Sequence, residues 1–143
     1  MEQLINAATP YYYAMLGFLI FGIAIICTSI VIFIISDMTT GKESLIMFIL
    51  GVLLFIPGLH FGNIFDKYNE QMTAIVKPII SENYPDATDF YYGLDTGHFT
   101  TNDIEYKIRY KKTVKNEEKL IVTVKDEQSK DKNTKMLDIP KTT

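Results

Sequence analysis

The chain has few of the residues from which most catalytic and metal sites are built. It contains one cysteine, Cys27, and two histidines, so an internal disulfide and a thiolate zinc site are both excluded. The sequence also contains no glycine-rich phosphate loop and no serine nucleophile elbow. We therefore expect a protein that is not an enzyme and that holds no metal and no cofactor.

Charge is almost missing from the first half of the chain. Between Glu2 and Asp66 the charged residues are Asp37, Lys42 and Glu43, although the 143 residues include 14 basic and 17 acidic side chains. The overall net charge of −3 and the 48% hydrophobic content are therefore averages over two unlike parts. Such a division argues against a wholly soluble globular protein.

Arginine is nearly absent, since Arg109 is the single arginine of the chain. A mitochondrial presequence is rich in arginine and a secretory signal begins with basic residues, whereas the first ten residues here contain neither lysine nor arginine. We therefore expect no cleaved leader. A single arginine in an acidic chain also argues against nucleic acid as a partner.

Two long uncharged runs predict two transmembrane helices. Residues 11–35 form a run of 25 residues, and residues 45–65 form a run of 21. At about 1.5 Å per residue they span about 38 and about 32 Å, enough for a hydrocarbon core of about 30 Å. Lipid forces a backbone to satisfy its own hydrogen bonds, so such runs are helical. The alternative is a pair of buried core helices in a soluble protein.

The connection between the two runs, residues 36–44, is short enough to force an antiparallel hairpin. Two spans place both termini on the same side of the bilayer. One lysine, Lys42, lies in the connection, and Lys67 and Lys77 follow the second run. Because lysine is enriched on the cytoplasmic side, we expect both termini in the cytosol or in an organelle matrix. Both the mitochondrial inner membrane and the endomembranes are compatible with this orientation.

Small residues in the first span predict where it packs against another helix. Gly17, Ala24 and Thr28 leave little side chain on the helix surface, and Ala24 with Thr28 forms a pair of small residues four positions apart. We expect these three residues to lie in a close helix contact.

The second span carries a proline that predicts a kink. Pro57 has no N–H for the carbonyl of Leu53, and Gly58 follows it. His60 lies one turn beyond, and two interpretations are open for it. It is either a proton or ligand site within the membrane, or an interfacial histidine bonded to the carbonyl that Pro57 frees.

The run Ile-Leu-Gly-Val-Leu-Leu-Phe-Ile-Pro-Gly at residues 49–58, with Leu-His after it and Tyr68 beyond, resembles the second span of a eukaryotic family. This is the small two-span family of transmembrane proteins 134 and 230, and the resemblance covers roughly residues 10–70. It implies endosomal or secretory-vesicle membranes and a trafficking role without catalysis. After Glu70 the family has a short aromatic and acidic tail, whereas this chain continues for more than 70 residues.

An apolar stripe with steps of three and four follows the second span and predicts an amphipathic helix. We expect it to be kinked near Pro78 and to end before Pro85. The stripe lies either on a membrane or partner surface, or over a small sheet of the same chain. Its apolar members are Phe61, Ile64, Phe65, Tyr68, Met72, Ile75, Val76, Ile79 and Ile80.

Alternating apolar and polar residues after the helix predict antiparallel strands. Residues 104–111 alternate strictly, and residues 120–124 repeat the pattern after a turn at 115–118. A shorter hairpin is expected at residues 90–94 and 98–101, joined by Asp95-Thr96-Gly97. Residues 125–135 read as a charged loop, residues 136–139 as a final strand and residues 140–143 as a tail.

The predicted fold is therefore a membrane α-helical hairpin followed by a small α+β domain of about four antiparallel strands. The expected boundaries are an N-terminal segment at 1–10, the hairpin at 11–65, and the amphipathic helix with the β domain at 66–143. With 78 residues, the last part has a marginal core by itself.

Two patterns in the β domain carry candidate chemistry. Asp95-Thr96-Gly97 matches the aspartic-protease triplet, but that mechanism needs two such aspartates sharing a proton, and the chain has one copy. A turn is the alternative interpretation. The second pattern is a basic strand face that either binds anionic lipid or an acidic partner, or is merely solvated. Its members are Lys107, Arg109, Lys111 and Lys112.

The sequence favours a structural function: a non-catalytic accessory subunit of a larger membrane complex, with a mitochondrial respiratory or ATP-synthase assembly as one setting. The expected partners are the bilayer, other membrane subunits and anionic lipid. One alternative is the trafficking role that the family resemblance implies. Another is a bacterial or phage membrane effector whose β domain binds a ligand.

Overall fold

The structure is a computed structural model that describes residues 1–35, 41–125 and 134–140. It contains two long apolar helices and one antiparallel sheet, which confirms the predicted combination of a helical hairpin with a small α+β domain at that level. The chain divides into two compact units, Ala8–Asp66 and a second unit made of Met1–Ala7 with Lys67–Thr143. The helices are α1 (Glu2–Ile35), α2 (Gly41–Leu53) and α3 (Phe55–Asn83).

The helices are long and apolar enough to cross a membrane by length and composition. The candidate spans are Glu2–Ile35, with a mean hydropathy of 3.0, and Gly41–Asn83, with 2.3. In both, only 11% of the most apolar window is buried. The core helix of a soluble protein buries its apolar face, so this exposure disfavours the alternative of two soluble core helices.

Helix α1 begins earlier than the apolar run that predicts it. It starts at Glu2 and continues through Pro10, so residues 2–10 of the expected N-terminal segment are helical as well. Helix α2 starts at Gly41, ahead of the expected start of the second run. Residues 36–40 of the predicted connection lie outside the described residues.

The second apolar run is interrupted at Leu54, which separates α2 from α3. The amide of Leu54 still donates to the carbonyl of Leu50 at 3.2 Å. Pro57 then stands in the first turn of α3, where a missing N–H costs nothing because that turn has no acceptor for it. The interruption therefore comes three residues before the proline that signals it. Helix α3 continues through Pro78 and ends at Asn83, before Pro85 as expected.

The sheet has five strands rather than about four. Their order is β1-β2-β3-β4-β5, and every neighbouring pair is antiparallel. The additional strand is the predicted final one, which pairs with β4. Residues 126–133 of the predicted loop and 141–143 of the predicted tail lie outside the described residues. The strands are β1 (Thr88–Gly93), β2 (Thr96–Thr101), β3 (Ile104–Lys112), β4 (Glu118–Val124) and β5 (Lys135–Asp138).

The first hairpin turns earlier than the Asp95-Thr96-Gly97 triplet suggests. Its turn consists of Leu94, at φ 57°, and Asp95, while Thr96 and Gly97 already belong to β2. A Cβ at Gly97 would lie 2.4 Å from the backbone oxygen of Tyr91. Glycine is therefore required there by close strand contact and not by turn geometry, and the predicted joint at residues 95–97 is wrong.

The core of the β domain lies between α3 and one face of the sheet. The helical stripe of Met72, Val76, Ile79 and Ile80 is buried, and Thr73 Oγ1 donates to the carbonyl of Tyr92 at 3.5 Å. The predicted stripe therefore covers the sheet of its own chain over this stretch. The buried apolar residues of the strands are Tyr92, Phe99, Ile108, Leu120, Val122 and Leu137.

We expect Ile108→Ala to destabilise the β domain by about 2–5 kcal/mol, the usual cost of cutting a buried Ile back to Ala. Ile108 is 0% exposed. The measurement is thermal unfolding of the full chain in a non-ionic detergent, followed by far-ultraviolet circular dichroism. Ile104→Ala is the matched control, because Ile104 begins the same strand and is 44% exposed. Equal losses from the two variants would contradict the assignment of the core.

Candidate functional site

The two apolar helices make their closest contact at a pair of glycines. A Cβ built on Gly51 would lie 3.2 Å from the backbone oxygen of Gly22 and 2.6 Å from Cγ1 of Ile26. A Cβ built on Gly22 would lie 3.1 Å from the oxygen of Gly51. Both glycines are buried. Backbone therefore meets backbone, the arrangement that small residues allow between helices in membranes.

Two serines close the hairpin near its connection. Ser29 Oγ donates to the carbonyl of Ser44 at 2.7 Å, and Ser44 Oγ donates to the carbonyl of Ser29 at 2.7 Å. Their Oγ atoms lie 3.3 Å apart, and both residues are almost fully buried. The pair satisfies its hydroxyls by bonding across the helices, so no hydroxyl faces the apolar surroundings unpaired.

The helix contact uses different residues from those that the sequence predicts. Nothing lies within 4 Å of a Cβ placed on Gly17, and Ala24 and Thr28 are exposed. Thr28 Oγ1 donates to the carbonyl of Ala24 at 2.8 Å, so the hydroxyl of Thr28 has its hydrogen-bond partner within α1. Gly17, Ala24 and Thr28 therefore do not form the contact between the two helices of this hairpin, and their expected contact with another helix stays a prediction.

A signal for the true contact was present in the sequence. The residue numbers of Gly22 and Gly51 have the same sum as those of Ser29 and Ser44, as successive facing pairs of an antiparallel hairpin do. Spacing along one helix, which singled out Ala24 and Thr28, carries no information about the partner helix. The contact depends on matching residues across the connection.

The residues at the predicted kink have unequal roles. A Cβ on Gly58 would lie 3.3 Å from Cβ of Phe18, so Gly58 also belongs to the helix contact. His60 is exposed, and its ring centroid lies 6.0 Å from that of Phe61. Among the described residues the structure gives His60 no hydrogen bond, so it does not show the interpretation in which His60 bonds to a carbonyl freed by Pro57. The other interpretation, a proton or ligand site, stays a prediction.

The outer face of the sheet, opposite to the face that α3 covers, carries the predicted basic residues of β3. Lys107, Arg109 and Lys111 are exposed and alternate along the strand. Across the strands Lys107 is the Cα partner of His98 and Thr123. The structure thus brings three of the four predicted cations to one surface.

Lys112 does not belong to that surface. Successive side chains of a strand point to opposite faces, so Lys112 shares the covered face with Ile108 and Tyr110. Its Nζ lies 2.6 Å from Oε2 of Glu2. The expectation that Lys112 belongs to the basic face is wrong, because two adjacent lysines in a strand cannot share one side.

A shallow groove of about 340 Å³ lies on the outer face of the sheet. One wall is the ring of Tyr91, whose centroid lies 5.4 Å from that of His98. A Cβ on Gly93 would lie 2.7 Å from the Tyr91 hydroxyl oxygen, so the ring lies flat over a position without a side chain. The groove is lined by Tyr91, Thr96, Gly97, His98, Glu105, Lys107, Thr123, Val124 and Lys125.

The carboxylate of Glu118 gathers several hydrogen bonds at the end of the hairpin formed by β3 and β4. Its Oε1 accepts from the amide of Glu2 at 2.8 Å and from the hydroxyl of Tyr110 at 3.0 Å, and its Oε2 lies 3.2 Å from the Met1 nitrogen. Desolvation raises the pKa of Glu118, but these hydrogen bonds and the nearby positive charge outweigh it. The pKa of Glu118 is therefore lower than usual.

Two tyrosines on the covered face have raised pKa values. Burial is the main cause at Tyr92, followed by the charge of Asp95, and burial with the bond to Glu118 raises the pKa of Tyr110. The hydroxyl of Tyr92 is buried without a hydrogen-bond partner in the described part of the chain. Both phenols are therefore neutral at physiological pH.

Metal-ligating residues are not gathered anywhere in residues 1–35, 41–125 and 134–140, where no group of three or more His, Cys, Asp or Glu side chains is suitably placed. Asp95 lies exposed in the first turn, and its backbone oxygen accepts from the amide of Tyr110 at 2.8 Å. Comparison with protein families, curated proteins and solved structures finds no match to the chain. The resemblance to transmembrane proteins 134 and 230 therefore stays a prediction.

We expect Gly51→Val to separate the helices of the hairpin, because its branched side chain meets backbone atoms of Gly22 and Ile26 that cannot move independently. Overpacking of this kind costs about 1–3 kcal/mol. The measurement is the thermal unfolding midpoint of the detergent-solubilised chain. Gly17→Val is the matched control, since it adds the same atoms to open space. A midpoint lowered equally by both variants would show that the glycine contact is not formed.

We expect Glu118→Gln to destabilise the β domain by about 1–3 kcal/mol at pH 7, because a neutral amide is a weaker acceptor than a carboxylate. A lowered pKa means that ionised Glu118 stabilises the fold above its ordinary pKa of 4.5. That contribution is lost as the pH falls through the lowered value. Thermal unfolding at pH 7 and about pH 3 should therefore show a difference from the unaltered chain that shrinks in acid. Glu117→Gln, at the more exposed neighbour, should change the midpoint little at either pH.

Proposed function

We propose that the chain is a non-catalytic integral membrane protein and an accessory subunit of a larger membrane assembly. The observation that carries the proposal is the surface of the helical unit, where large apolar side chains are exposed while the serine hydroxyls are buried. A soluble protein shows the opposite distribution. The most exposed of these apolar residues are Ile20, Phe21, Phe33, Ile34, Ile35, Leu45, Ile46, Ile56 and Leu59.

The polar groups of the helices fit an apolar solvent. Helical backbone satisfies its own hydrogen bonds, which lipid requires. The hydroxyls of Ser29 and Ser44 bond to each other's carbonyls, and Thr28 bonds within its own helix. Removing these helices from water therefore leaves no serine or threonine hydroxyl of this group unpaired. This supports the bilayer as the first partner.

A role as a subunit is supported by small residues that the hairpin itself does not use. Ala24 and Thr28 remain exposed, and Gly17 has open space above it. Small residues let a further helix approach closely. Lys42, Lys67 and Lys77 favour both termini in the cytosol or an organelle matrix, so a mitochondrial complex is one proposed setting and an endomembrane complex another.

Two further functions follow from separate observations. The resemblance at residues 49–58 favours a trafficking protein of endosomal or secretory membranes. The groove at Tyr91 and Lys107 favours a membrane effector with a ligand-binding β domain. Fluorescent tagging discriminates the first, because organelle labelling without vesicles would exclude it.

We expect the protein to stay in the membrane pellet after alkaline carbonate extraction and to migrate far above its 16.4 kDa mass on a native gel in mild detergent. Ala24→Leu should shift the native band toward the monomer, because a larger side chain blocks a close helix contact. Ile23→Leu, at the exposed neighbouring position, is the control and should leave the band unchanged.

Release of the protein by carbonate would contradict the membrane assignment. A stable band at the monomer mass would contradict the subunit role while leaving the membrane assignment intact. Mass spectrometry of the native band then identifies the proteins that accompany the chain.

A further inference from the structure

The groove on the outer face of the sheet gathers side chains from four strands around one lysine. Lys107 on β3 is the Cα partner of His98 on β2 and of Thr123 on β4, and His98 is the partner of Tyr91 on β1. Strands lie about 4.8 Å apart, so this row crosses the groove from one wall to the other. A pleated sheet fixes the positions of such residues more firmly than a loop does.

The centre of this face has uncompensated positive charge. Lys107 and Arg109 are exposed and lie two residues apart on the same side of β3, a separation of about 6.6 Å along the strand. In the part of the chain that the structure describes, neither forms an ion pair.

The one carboxylate among the described residues that line the groove, that of Glu105, is already paired with a cation. Both carboxylate oxygens of Glu105 lie 2.7 Å from Nζ of Lys125. Farther along the face, Asp138 lies 3.3 Å from Nζ of Lys119. Among the described residues that line the groove, an anion therefore meets the charge of Lys107 without an unpaired carboxylate.

The remaining polar groups in the groove are suited to donate hydrogen bonds. Thr96 and Thr123 supply hydroxyls, and Tyr91 supplies a phenol that is held over Gly93. Hydroxyls that surround a lysine suit an anion with several oxygens, since each oxygen accepts from a different donor. A tetrahedral phosphate offers more such oxygens and more charge than a single carboxylate does.

We propose that this groove is a binding site for a phosphate-bearing ligand, with Lys107 as its principal cation and Arg109 as a second charge at its edge. The groove is concave and small, about 340 Å³, which fits a single phosphate group with a short attached moiety. The phosphate belongs either to a soluble phosphate ester or to a lipid headgroup. The site does not depend on the proposed membrane assembly, so each proposal is tested separately.

The test is isothermal titration of the purified full chain in a non-ionic detergent with phenyl phosphate. We expect Lys107→Gln to weaken binding about tenfold or more, the loss expected for one charge-assisted hydrogen bond. Lys115→Gln removes the same charge from the exposed turn between β3 and β4, and it should leave the affinity unchanged. Lys107→Arg, which keeps the charge, should retain most of it.

A second variant tests the shape of the groove without altering its charge. In Gly93→Ala the added Cβ would lie 2.7 Å from the Tyr91 hydroxyl oxygen, so the ring must move away from its place over the strand. We expect weaker phenyl phosphate binding with an unchanged thermal unfolding midpoint. Benzoate, which has the same ring and one carboxylate, should bind more weakly than phenyl phosphate.

Two further probes identify the source of the phosphate. Tighter binding of dihexanoylphosphatidic acid than of phenyl phosphate supports a lipid headgroup, and equal or weaker binding supports a soluble ester. Inorganic phosphate should bind most weakly, because it lacks a moiety to contact Tyr91. The proposal is overturned if phenyl phosphate gives no binding up to about 10 mM, a concentration far above that of a specific site. Equal weakening by Lys107→Gln and Lys115→Gln, or benzoate binding as tight as that of phenyl phosphate, would overturn it as well.

Discussion

The helical unit depends on one constraint, which is that two apolar helices approach until their backbones touch. Gly22 and Gly51 allow this, because neither has a side chain to hold the helices apart. In the proposed membrane setting, two helices gain little from hydrophobic burial against each other, so close packing and hydrogen bonds must hold them. The reciprocal bonds of Ser29 and Ser44 supply the second component. Such bonds average about 0.6 kcal/mol in membranes, so the serines mainly fix which residues face each other.

The β domain depends on a different constraint, the alternation of side chains along each strand. In β3 the even-numbered residues Ile108 and Tyr110 turn toward the cover, and the odd-numbered Lys107 and Arg109 turn toward solvent. The same alternation sends Lys112 to the covered face, where Glu2 neutralises it. The basic residues of β3 therefore divide between the two faces of the sheet. Lys112 forms an ion pair on the covered face, and Lys107 and Arg109 lie on the outer face, where a ligand can reach them.

Long, strongly patterned segments are where sequence analysis was most informative. The uncharged runs and the steps of three and four predicted the helices, and strict alternation predicted β3 and β4. The predicted position of the first turn is wrong because a glycine such as Gly97 is typical of turns. In the structure, glycine is required at position 97 because the strand backbone at Tyr91 lies too close for a side chain. The helix contact was missed because Gly17, Ala24 and Thr28 were chosen from the spacing within one helix. Most of the candidate groove could not be predicted from the sequence, because Tyr91, His98 and Thr123 come from three separate strands.

The sequence by itself determined which segments avoid water and which alternate, because those properties follow from the composition and period of neighbouring residues. It also determined that cysteine clusters and glycine-rich phosphate loops are absent from the sequence, since such motifs are local. Only the tertiary structure decided which glycines meet, which lysine leaves the basic face, and which side chains surround Lys107. These outcomes depend on register between distant segments, and register is set by the packing of whole faces rather than by any one residue.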